Sequence, residues 1–216
     1  MSIRSKLWIL AVGICVAVIG MSVLTYFWAN DLFGRRLEES GQASARDGAE
    51  IVVQYFEKLR MLAETTAAAT AFHMREGHSV ARMDDHVETR VSSFLEKHVN
   101  AGIQDVCAGI EADGSLGDGS GWREPEGYDC RKRSWYRRAA DEGRTVLADP
   151  YVDLITRVNV LSVTTPIRSE DGALLGVAGV DVDLKHLQSL VQPRRVFGSG
   201  FGMLLGRDGV ILAAPY

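Results

Sequence analysis

The run YDCRKRSWYRRAADEG brings Tyr128, Arg133, Trp135 and Tyr136 close together in sequence. Further on, DPYVD carries Tyr151 and Asp153, and GVAGVDVDL carries Asp181. A guanidinium, two carboxylates and aromatic rings with polar tips offer charge-assisted hydrogen bonds and flat walls. That is the chemistry of holding a small polar ligand. Taken singly, each residue has an ordinary explanation, because Trp and Tyr on a short helix usually pack in a core and an arginine is usually solvated. Their arrangement says more. Tyr151 and Asp153 are two apart, so in a strand both side chains leave one face. In GVAGVDVDL, Ala178, Val180 and Val182 make an apolar face, while Val177, Gly179 and Asp181 make the other. A small glycine beside a carboxylate leaves room for a polar group, and an acid in so apolar a strand needs a partner.

Motifs that break bonds are missing. The chain has no GxxxxGK[ST] phosphate loop, no HExxH and no GxSxG elbow, so no enzymatic activity and no cofactor are expected. The glycine-rich GSGFG at 198–202 precedes a strand-like run rather than opening a helix, which argues for a linker. Asp113, Ser115 and Asp118 faintly suggest a calcium loop, but Asp118 stands where that loop requires glycine. His73, His78, His86, His98 and His186 have no metal-ligand spacing, and no metal is expected. With a net charge of −4, a pI near 5.8 and no basic run, nothing favours nucleic acid.

The elements that must position these residues begin in a membrane. Leu7–Ala29 is 23 residues without a charge. As a helix it would cover roughly 34 Å, enough for a hydrocarbon core of about 30 Å. It is longer than the apolar core of a cleaved signal and ends in bulky TYFWAND, so it reads as an uncleaved anchor. Trp8 and Trp28 suit the two interfaces. The basic flanks, Arg4 and Lys6 against Arg35 and Arg36, are nearly balanced, and the short leading tail makes an inside N-terminus the simpler choice. A proline-free helix is expected over about 31–76, striped by Ala45, Ala49, Val52, Phe56, Leu59 and Ala63. A second helix is expected from Ser79, with Met83, Val87, Val91, Phe94 and His98 inward and Gly102 as its stop. Then come short β segments: IQDVCAGIEA, a turn at Asp113-Gly114, a helix over about 135–142 capped by Ser134 and stopped by Gly143, strand-like TVLADPYVD, VLSVTTPIRS, a turn at Asp171-Gly172, and LLGVAGVDVDL. A brief helix LKHLQSLVQ and two strand-like runs about an Asp-Gly turn close the chain. Cys15 lies in the span, and whether Cys107 and Cys130 pair is left open.

The R-x-W-Y-x-x-A run at 133–139, the ADPY run, the VTTPI and GVAGVDVDL strands and the DG-I-L-x-x-P end together make the chain resemble the double-Cache extracellular sensor domains of bacterial chemoreceptors, sensor kinases and diguanylate cyclases. Cys130 and Ser134 depart from it, each standing where proline is common. The resemblance implies an α+β fold: an N-terminal transmembrane helix, a long juxtamembrane helix, a PAS-like antiparallel sheet (Cache) module, and the start of a second module. It divides the chain into a tail and anchor over 1–30, helix and membrane-distal module over 31–192, and the beginning of a membrane-proximal module over 193–216. It further implies that Tyr128, Arg133, Trp135, Tyr136, Tyr151, Asp153 and Asp181 fall on the ligand motif of the amino-acid-binding subgroup. Arg133, helped by Trp135 and Tyr136, would meet the ligand carboxylate; Asp181, with Asp153, Tyr128 and Tyr151, would meet the ammonium. Two acids facing one another would raise the pKa of one until a cation neutralises them, which favours an ammonium on the ligand. The implied partners are an L-amino acid, the bacterial inner membrane and a second copy through the long helix, with the sensor outside the cytoplasm. The implied role is the sensing region of a methyl-accepting chemotaxis protein. A histidine kinase or cyclase output, or a module for an organic acid, polyamine or purine, is the alternative.

Overall fold

A computed structural model describes residues 2–77, 102–118, 122, 124–191, 200–206 and 209–214. The expected second helix, from Ser79 through His98, lies outside the described residues. So do parts of the glycine-rich loop and of the GSGFG linker at 198–202. The chain divides into two compact units, Met1–Asp47 and Gly48–Tyr216.

One uninterrupted helix, α1, spans Ile3–Arg75. No proline occurs in it, and in its first unit Leu7, Ile9, Leu10, Ile14 and Ile19 are all exposed. It is the single described helix long and apolar enough to cross a membrane. Within the second unit, α1 buries Val52, Leu59, Ala63, Ala67 and Thr70. The expected stripe is therefore displaced: Ala45 and Ala49 are exposed, and the packed face continues to Thr70. Steps of three, four or seven separate these residues, so the stripe stays on one side of the helix.

The sheet is antiparallel. Its strands are β1 (Ile103–Ile110), β2 (Leu116–Asp118), β3 (Val146–Leu147), β4 (Tyr151–Val152), β5 (Asn159–Arg168) and β6 (Leu174–Asp183). They lie in the order β2-β1-β6-β5-β3, and β4 also pairs with β5. The expected TVLADPYVD strand is thus two short ones. Proline has no N–H to give a ladder, and Pro150 falls in the gap between them. A helix α2 (Ser134–Glu142) and a helix α3 (Leu184–Val191) flank the sheet, and β7 (Leu204–Leu205) pairs with β8 (Ile211–Ala213) as a separate ribbon.

Alternation along the strands gives the sheet two different faces. On one, Val106, Leu161, Val163, Val180 and Val182 pack with Val52, Leu59 and Ala63 of α1. Ala108, Ile167 and Ala178 pack with Ala67. On the other, Cys107 and Val177 pack with Cys130, Trp135, Tyr136 and Ala139. Burying a side chain such as Leu59 contributes on the order of 1.5–3 kcal/mol, so the second half of α1 is a structural part of the sheet domain.

The two ends of α2 are set by local backbone geometry. The residue capping its start is Arg133, at φ −77° and ψ 145°, with Ser134 as the first helical residue; the cap makes no side-chain hydrogen bond. Gly143 closes the helix in the left-handed region at φ 66°, a conformation glycine adopts without steric cost. Cys107 and Cys130, on the same side of the sheet as α2, are both buried free thiols.

Candidate functional site

Asp181 stands near the end of β6, on the strand face that also carries Val177 and Gly179, and it is 6% exposed. Across the sheet it lies opposite Ser162 of β5 and Asp105 of β1. The Tyr151 hydroxyl donates to its Oδ2 at 2.9 Å, and the Ser162 hydroxyl donates to its Oδ1. These two bonds favour the carboxylate, yet burial outweighs them. Aided by the charges of Asp153 and Asp118, burial pushes the Asp181 carboxyl up to about 6.

Arg133 approaches from the start of α2. Its guanidinium carbon lies 5.6 Å from the centroid of the Tyr151 ring, a cation–π distance. The guanidinium has no hydrogen-bond or ion-pair partner among the described residues. Extended backbone at the cap position releases its side chain from the helix surface, which is how a residue so close to buried Trp135 reaches the sheet.

Arg133 and Asp181 face one hollow enclosing about 340 Å³, open mouth included. Tyr128, Arg133, Trp135, Tyr151, Asp153 and Asp181 line it, joined by Asp105, Cys107, Leu116, Asp118, Trp122, Leu154 and Ile155. Tyr128 meets Trp122 edge to face, with ring centroids 5.3 Å apart. The space above Gly179 is occupied: a Cβ there would lie 3.2 Å from Cys107 Sγ and 3.9 Å from Trp135 Cε3. The space beside Gly179 is thus filled mainly by Cys107 rather than left as a void for a ligand.

Two expected residues are placed differently from the sequence reading. Tyr136 is 2% exposed and does not line the hollow; its hydroxyl donates to Glu111 Oε2 at 2.7 Å. It follows Trp135 directly, and neighbours on a helix point about 100° apart. Asp153 lies just past β4 rather than in it, and its Oδ2 accepts from Ile155 N at 3.1 Å, Thr156 N at 2.6 Å and Thr156 Oγ1 at 2.7 Å. One of its oxygens therefore holds the turn that carries Leu154 and Ile155 to the hollow.

Asp105 and Asp118 enlarge the expected set. Asp105 is 8% exposed, its carboxyl raised well above the usual range by burial first and then by the charge of Asp118. Asp118 lies across β1–β2 from Cys107, and its Oδ1 accepts from Trp122 N at 3.4 Å. The sequence carries a signal for Asp105, an acid inside the apolar run IQDVCAGI. It carries none for Asp118 in its glycine-rich loop. The Cys107 thiol is also pushed up by burial and the surrounding acids, so it remains protonated and unreactive.

A polar hollow thus lies on one face of an antiparallel sheet, with the second half of α1 on the other face. Residues 113–189 match the family model described as methyl-accepting chemotaxis protein-like, first PDC sensor domain. The chain is 37% identical over 92 residues to the methyl-accepting chemotaxis protein McpA of Pseudomonas putida, a match covering 42% of this chain and 14% of that protein. It is 34% identical over 91 residues to PctB of Pseudomonas aeruginosa, with the same coverage. By structure it is similar to the ligand-binding domain of the P. aeruginosa amino-acid chemoreceptor PctC in complex with GABA, at TM-score 0.66 and 27% identity, covering 80% of this chain and 74% of that one. It is also similar to the PctB ligand-binding domain in complex with L-Arg, at TM-score 0.67 and 25% identity, covering 83% and 71%. The resemblance to chemoreceptor sensor domains drawn from the sequence thus holds in sequence and in fold. The matched stretch spans about one seventh of the length of those two curated relatives.

Proposed function

We propose that this chain is the extracytoplasmic sensing region of a bacterial transmembrane chemoreceptor and that its hollow binds an L-amino acid by the α-carbon substituents. The observation carrying this reading is the opposition of charge in one hollow. Arg133 offers an uncommitted guanidinium, and Asp181 offers a buried carboxylate already oriented by Tyr151 and Ser162. A zwitterion neutralises both poles at once, whereas a simple carboxylic acid would leave the buried acids facing each other. Trp135, Tyr128 and Tyr151 form the walls, and Asp153 adds its second oxygen at the ammonium end. In the membrane, the span within α1 anchors the chain with the sensor outside. Exposed Val53, Met61 and Phe72 on α1 support pairing with a second copy along that helix.

The test is calorimetric titration of the protein with L-amino acids and with their deaminated and decarboxylated analogues. Binding by the L-amino acids and loss of binding when either α-substituent is removed is the expected result. Equal binding of a deaminated analogue would overturn the reading.

A further inference from the structure

Two carboxyl groups meet where β1 and β2 border the hollow. Asp105 and Asp118 both line it, at 8% and 4% exposure. Asp118 pairs with Cys107, two residues along β1 from Asp105, so both acids stand on the sheet face that carries the hollow. Their carboxyl groups are hydrogen-bonded to each other. A carboxylate only accepts, so such a bond exists only when one of the two acids carries a proton. No N–H or hydroxyl of the described residues donates to the buried Asp105 Oδ1, and the proton of the pair is the donor at hand. The surroundings act in the same direction. Asp181 of β6 lies opposite Asp105 in the sheet register, and Asp153, past β4, adds a fourth acid to the lining. Cys107, Tyr128 and Tyr151 are its other titratable groups, and Arg133, seated over the Tyr151 ring, is the one cation on the described lining. Burial, then the charges of Asp118 and Asp181, hold the Asp105 carboxyl well above the usual carboxylate range.

We propose that Asp105 and Asp118 form an acid–carboxylate pair holding one proton at neutral pH, so that the hollow contains a proton-binding site of its own, separate from Asp181. The pair then adds one negative charge to the hollow rather than two. Loss of its proton at alkaline pH adds the second, so the pH around the hollow sets the charge that any ligand meets. This holds whichever ligand the hollow takes.

The test is infrared spectroscopy of the unaltered chain in detergent at about pH 8, where Asp181 is ionised. The expected result is a protonated-carboxyl carbonyl band that shifts on isotopic labelling of aspartate carboxyls and disappears in Asp105→Asn. That variant supplies the donor as an amide N–H and needs no proton. Thermal melts give a second readout. Between about pH 6 and about pH 8, beyond the Asp181 titration, the folded state keeps a proton that an unfolded Asp105 has released. The unfolding midpoint should therefore fall more over that window in the unaltered chain than in Asp105→Asn. A spectrum without the band would overturn the proposal, the result expected if a bound cation rather than a proton joins the two acids. A band that persists in folded Asp105→Asn, or equal slopes in the two proteins, would also overturn it. Should Asp105→Asn fail to fold, the label-sensitive band of the unaltered chain decides alone. Each of these outcomes leaves the amino-acid reading untouched.

Discussion

Arg133 lies over the ring of Tyr151, while the hydroxyl of that same Tyr151 donates to Asp181 Oδ2 at 2.9 Å. One side chain thus touches the positive and the negative pole of the hollow, the first through its π-face and the second through its polar tip. A ligand bridging the poles would lie along this tyrosine, so its two ends can be tested separately. Tyr151→Phe keeps the face and removes the tip. It should weaken amino-acid binding by about 1.5–3 kcal/mol, the range for a hydrogen bond to a charged group. Tyr151→Ala should weaken it further, as measured by titration calorimetry.

Truncating either pole should cost more. Arg133→Ala and Asp181→Ala are each expected to lose about 2–5 kcal/mol of binding, roughly thirty-fold to several thousand-fold in affinity. Tyr136→Phe is the internal control, since its hydroxyl is engaged with Glu111 away from the hollow. That variant should bind normally and lose about 1 kcal/mol of stability, read from a denaturant titration.

Asp181 gives the site a pH dependence with a definite sign. Its carboxyl is raised to about 6 in the folded protein by burial, above the ordinary value near 4 for an unfolded chain. Between those two values the folded state holds more protons than the unfolded one. The Asp181 contribution to stability without ligand should therefore fall as pH rises from about 4 to about 6, and then level off. Asp105 shifts in the same direction and adds to the slope. Ammonium binding runs the other way, because it requires the carboxylate: affinity should drop as pH falls below about 6. Asp181→Asn should make the stability profile shallower over that window, leaving the part due to Asp105, which thermal melts across pH would reveal.

Gly176 on β6 tests the closeness of the sheet. A Cβ at that position would stand 2.1 Å from the Gly109 carbonyl oxygen and 3.3 Å from Ile110 Cα. Backbone cannot step aside as a flexible side chain can, so Gly176→Ala should cost at least the roughly 1–3 kcal/mol typical of overpacking. A circular-dichroism melt showing no drop in midpoint would contradict this strand spacing.

Strand identity is plain in the sequence because two-residue alternation is a local property. VLSVTTPIR and LLGVAGVDVD announce a sheet with one face for a helix, and β5, β6 and α1 pack as that pattern demands. The bounds of the helix stripe are harder to read, because which turns of α1 are covered depends on residues in the sheet. Position 136 shows a different limit. A motif places Trp135 and Tyr136 together, but helix geometry sends adjacent side chains to different surroundings, and only one of them reaches the hollow. Asp118 is hidden for the opposite reason. Its place depends on the pairing of a three-residue strand with β1, and no short-range pattern announces so brief an element.

The turn held by Asp153 has a consequence for how the lining of the hollow can vary. Leu154 and Ile155 border the hollow from a short bend, and Asp153 Oδ2 pins that bend through bonds to main-chain and hydroxyl groups that ride on it. Exchanging the two aliphatic residues would reshape the lining of the hollow without altering a strand or either charged end. On the proposed reading, exchange of these two residues alters side-chain selectivity while the Arg133 and Asp181 contacts to the α-substituents stay in place.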